Sequence, residues 1–379
     1  VLKHRLLSAE VVYNGLGTPR ANGAVVVQGE GEDAQIVAVD GLERARLNFP
    51  DAAEERAGFA LSPPPVNAHT HLDLSSTPAF AGSYGDFIRH VIAHGASHRG
   101  LEAAKAGAAE LEAEGVTVVG DVVAREEVMV WLLQRAKLTG VAYWEVLGPN
   151  PGDAERIFAE TVEKLRFFRR LERPGGMRVG LAPHAPHTVS APLLQRLAGL
   201  ARQEDLPMQI HVAESPAEGD FHARGSGPLM DLMRPSVPDW RPSGLSPLGY
   251  LISLGVLAAR PTLVHMIHVS EDDIREVQRA GCAVVHCPRS NTALGCGRFP
   301  WRLYMKHGAE VALGTDSRAS SPSLSVAGEV AAARALHGDE ASPRALVRAA
   351  VKGGYRALGL RPPRLLRGDP AGGLYLWPE

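Results

Sequence analysis

Two histidines one residue apart, His69 and His71, close an apolar run broken by three prolines, PPPVNAHTHLDLS at residues 63–75. In an extended segment, side chains at i and i+2 leave the same face, so both imidazoles can reach one metal ion. The spacing is common and carries little by itself. It gains weight from other groups that end apolar runs: His184 in MRVGLAPHAP, His211 with Glu214 in MQIHVAES, His265 in PTLVHMIHV, His286 in CAVVHCPRSN and Asp316 in EVALGTDS. A third histidine and a carboxylate would complete a site with one position open for water. His211 and Asp316 suit those places.

What must position these groups is a repeated unit. The chain holds eight short apolar runs, beginning with PPVNAHTHL, VTVVGDVV and VAYWEVLG and continuing through the five above. Between them lie stretches such as LEAAKAGAAELEAEG and DAERIFAETVEKLRFFRRLE, with apolar residues three and four apart and glycine at or beyond the end. Eight strand-then-helix repeats predict an α/β fold, a (β/α)8 TIM-like barrel over residues 61–357. Active sites of such barrels lie at the C-terminal ends of the strands. Strands one, four, five, six, seven and eight are each expected to deliver an imidazole or carboxylate there. Residues 1–60 and 358–379 read differently, with β-branched runs in AVVVQGEGEDAQIVAVDG and a strand-like GLYLWPE. Both termini are expected to form one small β-sandwich domain.

Composition narrows the function. Forty basic residues stand against forty-two acidic ones in 379 residues, without a basic run, so neither nucleic acid nor an anionic membrane is an expected partner. A small-molecule substrate is. Cys282, Cys287 and Cys296 form no CxxC pair and follow no secretory leader, which predicts a reduced, cytoplasmic setting. Residue 1 is a valine, so the natural start is expected upstream. The sequence does not set the oligomeric state; a homodimer is one candidate.

Each residue also has a plainer reading. A single buried histidine is more often a hydrogen-bonded core residue than a ligand, and Asp316 could cap the following helix. Taken together at one rim, they would leave many buried polar groups in need of partners without a metal. His90, His94 and His98 share a helical face, but Gly95 and the missing carboxylate favour a pocket wall or a solvated face. The Pro- and Gly-rich insert at 216–250 is either a substrate lid or a surface excursion.

The set VNAHTHL, HAPHTVS, HVAES, LVHMIHVSEDDI, HCPRSNTALGCGRFP and GTDS resembles the amidohydrolase superfamily. The likeness is to its branch of cytosine, guanine and S-adenosylhomocysteine deaminases and triazine chlorohydrolases. It implies that His69, His71, His211 and Asp316 bind one divalent metal, zinc before iron or manganese. It further implies that Glu214 shuttles protons, that His265 orients the reacting water while His268 stays out of contact with the metal, and that His184 meets the substrate ring. The carboxylated lysine of two-metal relatives has no counterpart on strand four, and Lys164 falls in a helix.

The chemistry that follows is hydrolytic deamination. A cation lowers the pKa of a bound water toward neutrality, Asp316 accepts a proton, and Glu214 passes protons to ring and leaving amine. The segment FIRHVIAHGASH lacks the acid that holds ribose in the thioadenosine and adenosylhomocysteine deaminases. YGDFIRHVI and the 216–250 insert look more like the branch that deaminates 6-aminodeoxyfutalosine, an adenine nucleoside of the futalosine route to menaquinone. Guanine, cytosine-like bases, other adenosine derivatives or chlorotriazines are the alternatives, and a barrel without catalysis is the remaining one.

Overall fold

The computed structural model describes residues 3–378. Eight strands, Val66–Thr70, Val118–Val123, Thr139–Val146, Met177–Pro183, Gln209–Val212, Thr262–His265, Val284–His286 and Val311–Leu313, each overlap one of the eight apolar runs. They are called strands one to eight below. Strands one to four form one parallel sheet and strands five to eight another, each in chain order. Two seams join them: Leu181 bridges Met208 and Thr70 bridges Asp316, both parallel. With Leu181 N–H donating to Pro207 O at 2.8 Å and Asp316 N–H to His69 O at 3.1 Å, the ring closes.

Nearly every strand residue is buried, as expected where side chains fill the barrel on one face and meet helices on the other. Helices follow where the spacing predicts them, Leu101–Ala113 and Ala154–Arg169 among them. Leu193, Leu194, Leu197 and Ala201, three and four apart along Ala191–Gln203, are buried and form its core-facing stripe.

The terminal segments pair into one six-stranded sheet. Its order runs Tyr375–Trp377, Ala60–Ser62, His4–Val12, Arg20–Gln28, Gln35–Gly41, with Ala53–Arg56 also on His4–Val12. Alternation gives it two apolar faces: Leu7, Val25 and Val27 in one cluster, Leu6, Ala24 and Val26 in another beside the helix Leu42–Asn48. Trp377 Nε1–H donates to Ser62 Oγ at 2.8 Å, tying the last strand to the segment that enters strand one. A shared β unit from both ends is therefore present as a single sheet.

The insert is ordered into three short helices, Pro216–Arg224, Pro228–Met233 and Pro247–Ser253. Glu218 caps the first by accepting from Ser215 N–H at 3.1 Å. No described helix is long and apolar enough to cross a membrane.

Candidate active site

Strand one ends with His69 inside the barrel wall and His71 at the entry to a short turn, Leu72–Leu74. Their Nε2 atoms converge with that of His211 from strand five. His211 Nε2 lies 3.2 Å from His69 Nε2 and 3.3 Å from His71 Nε2. Asp316, just past strand eight, brings Oδ1 to 3.6 and 3.7 Å from the same nitrogens of His69 and His71. All four side chains are buried.

The far side of each ring decides what those contacts are. His69 Nδ1 is 2.7 Å from Gln209 Oε1, an acceptor, and His211 Nδ1 is 2.8 Å from the His184 carbonyl. Both Nδ1 atoms therefore carry the proton, and a neutral imidazole so held presents a bare lone pair at Nε2. Lone pairs facing each other at this distance repel unless a cation sits among them. Burial also pushes His71 down to about 3 and His211 well below its ordinary value, so the rings are neutral as metal ligands must be. Burial alone would raise Asp316, but its contacts at this rim outweigh that and hold the carboxyl well below its ordinary value. Three neutral imidazoles and one carboxylate fit a divalent cation.

A second group stands beside the first: Glu214, His265 and Asp316 have ligand atoms within 4.8 Å of one another. Asn291 Nδ2 donates to His265 Nδ1 at 2.9 Å, which leaves His265 with Nε2–H aimed at Glu214 Oε2, 3.5 Å away. His265 is thus set as a donor, in the opposite tautomer to His69 and His211. Burial, then the nearby Asp316 and Glu218 carboxylates, push Glu214 well above its ordinary value. Cys296 Sγ, 3.7 Å from Glu214 Oε1, closes the other side.

Backbone strain holds these groups in place. Ala213, His265, Met266 and Asp316 all have positive φ, at 54°, 73°, 49° and 57°. Glu218 accepts from the N–H groups of Ala213, Glu214 and Ser215 at 2.8–3.1 Å, and Tyr304 OH donates to Met266 O at 2.9 Å. Ser290 Oγ–H to Asp316 Oδ2 at 2.6 Å leaves Oδ1 turned toward the imidazoles.

The cluster forms the floor of a cavity of about 470 Å³. His184, on strand four, lines it, as do Tyr84, Arg99, Glu145 and His187. Its wall is apolar: Phe87, Ile88 and Val91 from the helix Tyr84–His98, and Leu232 and Met233 from the insert. The insert is therefore part of the cavity wall. On the same helix His90 bonds Pro78 O at 2.8 Å and His94 bonds His90 O at 2.9 Å. Lys164 pairs with Glu126 at 2.6 Å, on the helical layer.

One expectation needs correction. His286 does not reach the rim; its ring stacks on Phe299 at 4.2 Å and its Nε2 is 3.1 Å from His337 Nε2. In the three-residue strand seven, pleat alternation turns it outward to the helices. Strand three contributes Glu145 instead. Gln209, Ser290 and Asn291, which orient the cluster, were in quoted motifs without a role. Gln209 was legible as the i−2 neighbour of His211 on the same strand face. Tyr84, Arg99 and Glu145 carried no local signal.

A model of the Amidohydrolase family matches residues 60–363. An aminodeoxyfutalosine deaminase of Deinococcus radiodurans is 48% identical, over 96% of this chain and 88% of its own. A 5-methylthioadenosine/S-adenosylhomocysteine deaminase of Halobacterium salinarum is 28% identical over 82% of this chain and 71% of its own. Among solved structures, the Helicobacter pylori aminofutalosine deaminase in complex with methylthio-coformycin superimposes with a TM-score of 0.74 at 20% identity, covering 97% of this chain and 90% of that one, a likeness of fold. Because the family match spans all eight barrel strands and every residue of the converging cluster, the chain belongs to the amidohydrolase family.

Proposed function

We propose that the protein is a metal-dependent aminohydrolase that replaces the 6-amino group of an adenine nucleoside by oxygen, and that 6-aminodeoxyfutalosine is its substrate. The observation that carries this reading is the 48% identity, over 96% of the chain, to the Deinococcus relative of that name. The converging Nε2 atoms beside Glu214 support it.

His69, His71, His211 and Asp316 would hold one divalent cation, zinc by the imidazole-rich donor set, with iron or manganese as the other candidates. Bound there, it supplies Lewis acidity that brings a water's pKa toward neutrality. Glu214 moves the protons. Burial raises its carboxyl, which lets it hold a proton at the cavity floor and release it to the ligand. It carries one proton of the attacking water to a purine ring nitrogen as the ring carbon is attacked, and then carries the second, released by way of Asp316, to the departing amine, which leaves as ammonia. His265 Nε2–H orients the attacking oxygen, and Asp316, whose Oδ2 is held by Ser290, takes up a proton at Oδ1. His184 contacts the bound ligand from strand four. The apolar walls keep bulk water from the reacting end of the cavity.

Three further readings go with this one. The reaction belongs to the futalosine route to menaquinone, in a reduced cytoplasm that suits three free, buried cysteines. Residues 1–60 with 358–379 act as one small β unit, with two apolar faces suited to a sandwich, beside a barrel of 61–357. The assembly is a homodimer or a monomer, which light scattering separates.

The test is direct. Cation-loaded protein given 6-aminodeoxyfutalosine should release ammonia and shift the adenine absorbance to that of hypoxanthine. Activity on guanine, a cytosine-like base or a chlorotriazine, with none on adenine nucleosides, would replace the substrate and keep the site.

A further inference from the structure

The cavity has a second polar end, which proton transfer at Glu214 does not use. Glu145, near the end of strand three, is only 6% exposed at its side chain, and that exposure opens into the cavity. Its Oε2 lies 3.5 Å from Arg99 Nη2, and Arg99 Nε is itself committed to Asp73 Oδ2 at 2.6 Å. Oε1 has no hydrogen-bond partner among the described residues. On the adjacent strand end, His184 N–H donates to Val146 O at 3.0 Å, which sets the two side chains next to each other. The Thr188 hydroxyl donates to Ala185 O, so it accepts from His184 Nδ1–H and leaves His184 Nε2 a bare acceptor.

One end of the cavity therefore offers acceptors side by side, an anionic carboxylate and an imidazole nitrogen. A carboxylate oxygen that faces the cavity without a protein donor is free to accept from a donor on the ligand. An adenine ring that points its amine at Glu214 has only acceptors, N3 and N7, on its remaining edges. The donors that a nucleoside can bring to this end are its sugar hydroxyls.

We propose that Glu145, held in place by Arg99, is a specificity-determining residue that accepts the vicinal hydroxyls of the substrate's sugar. This rests on the nucleoside reading above and extends it. Strand three thereby selects ribonucleosides over bases and over sugars without the diol.

The experiment compares adenosine with 2′,3′-dideoxyadenosine on cation-loaded wild type and Glu145→Gln. One charge-assisted hydrogen bond corresponds to about 10- to 100-fold in binding, so wild type should prefer the ribonucleoside by at least that in kcat/KM. Glu145→Gln should lose that preference through a rise in KM for adenosine that the dideoxy reaction does not share. An equal loss on both nucleosides would show that Glu145 only serves Arg99, and would overturn the proposal. So would a wild type indifferent to the hydroxyls. If Glu145→Gln does not fold, Glu145→Asp, which keeps the charge on Arg99 and withdraws the oxygens, carries the same comparison. A wild type that deaminates neither of these nucleosides nor 6-aminodeoxyfutalosine defeats the proposed function. The sugar site is then read from calorimetric binding of inosine against 2′,3′-dideoxyinosine, where a preference supports it and equal affinity sinks it.

Discussion

The molecule buries histidines in two different ways. At the rim, His69 and His211 have their far nitrogens fixed by Gln209 and by a backbone carbonyl, and their near nitrogens converge within 3.2 Å. In the shell around the barrel, His222 sits among Phe221, Trp240 and Tyr250 with neither nitrogen hydrogen-bonded among the described residues, and His286 and His337 approach each other through Nε2. Burial is the same in both places. What differs is the far side of the ring: His69 and His211 have an acceptor fixed there, while His222, His286 and His337 have none among the described residues, and His71 shares that lack but joins the rim through its converging Nε2. His265 adds a third case, because an amide donor on its Nδ1 turns its Nε2 into a proton donor.

The largest effect should come from breaking the convergence itself. Asp316→Ala or His211→Ala should lose cation binding and lower kcat/KM by about 10,000-fold, the size of several kcal/mol of Lewis-acid stabilisation. Metal analysis of the purified variants and a deamination assay read both. Removing the cation from wild type with a chelator should give the same loss, restored by Zn2+. A variant that keeps a stoichiometric ion would move the site elsewhere. Next in size is the proton path. Glu214→Gln should keep the cation and lose about 1,000-fold in kcat. Activity within tenfold of wild type would remove Glu214 from its role.

The contrast sharpens at the far nitrogen. Gln209→Leu touches no ligand atom of the cation, yet it frees the His69 ring to flip its tautomer. Cation affinity should fall by about 10- to 100-fold, measured by competition with a chromophoric chelator. An unchanged affinity would mean that packing alone orients the ring.

Much of the rim was legible because its period is simple. HxH places two groups on one face at a strand end, and strand order does the rest, so His69, His71, His211 and Asp316 could be grouped without coordinates; Glu214 joins them only because the positive φ of Ala213 turns the chain just past strand five. His286 misled because strand seven spans only three residues, Val284–His286, too few to show which face is inward. Glu145 and Arg99 were invisible for a different reason. They meet through space across strands whose polar residues look like ordinary surface charges in a linear reading. Arg99, at the C-cap of the helix Tyr84–His98, reaches Asp73 and Glu145 only because the chain folds back over the strand ends. The terminal sheet was legible as β structure from both ends, while its order, with Ala60–Ser62 between Tyr375–Trp377 and His4–Val12, depends on pairings across the whole chain.

The smallest effect tests the other side of the comparison. Burial pushes His222 down to about 3, so the folded protein holds it neutral where the unfolded chain would protonate it at its ordinary value of 6.5. Below 6.5 the unfolded state binds the extra proton, and stability therefore falls as pH drops from there toward 3. A phenyl ring in the same box of Phe221, Trp240 and Tyr250 has nothing to protonate. His222→Phe should thus match wild type near neutrality and exceed it by about 2 kcal/mol near pH 5, about one and a half pH units below the ordinary histidine value. Urea unfolding at the two pH values reads the difference, with cation saturation held constant so that the rim does not contribute. A parallel loss in both proteins would mean that His222 already has a donor or acceptor in solution, and the division between partnered and unpartnered histidines would no longer hold there.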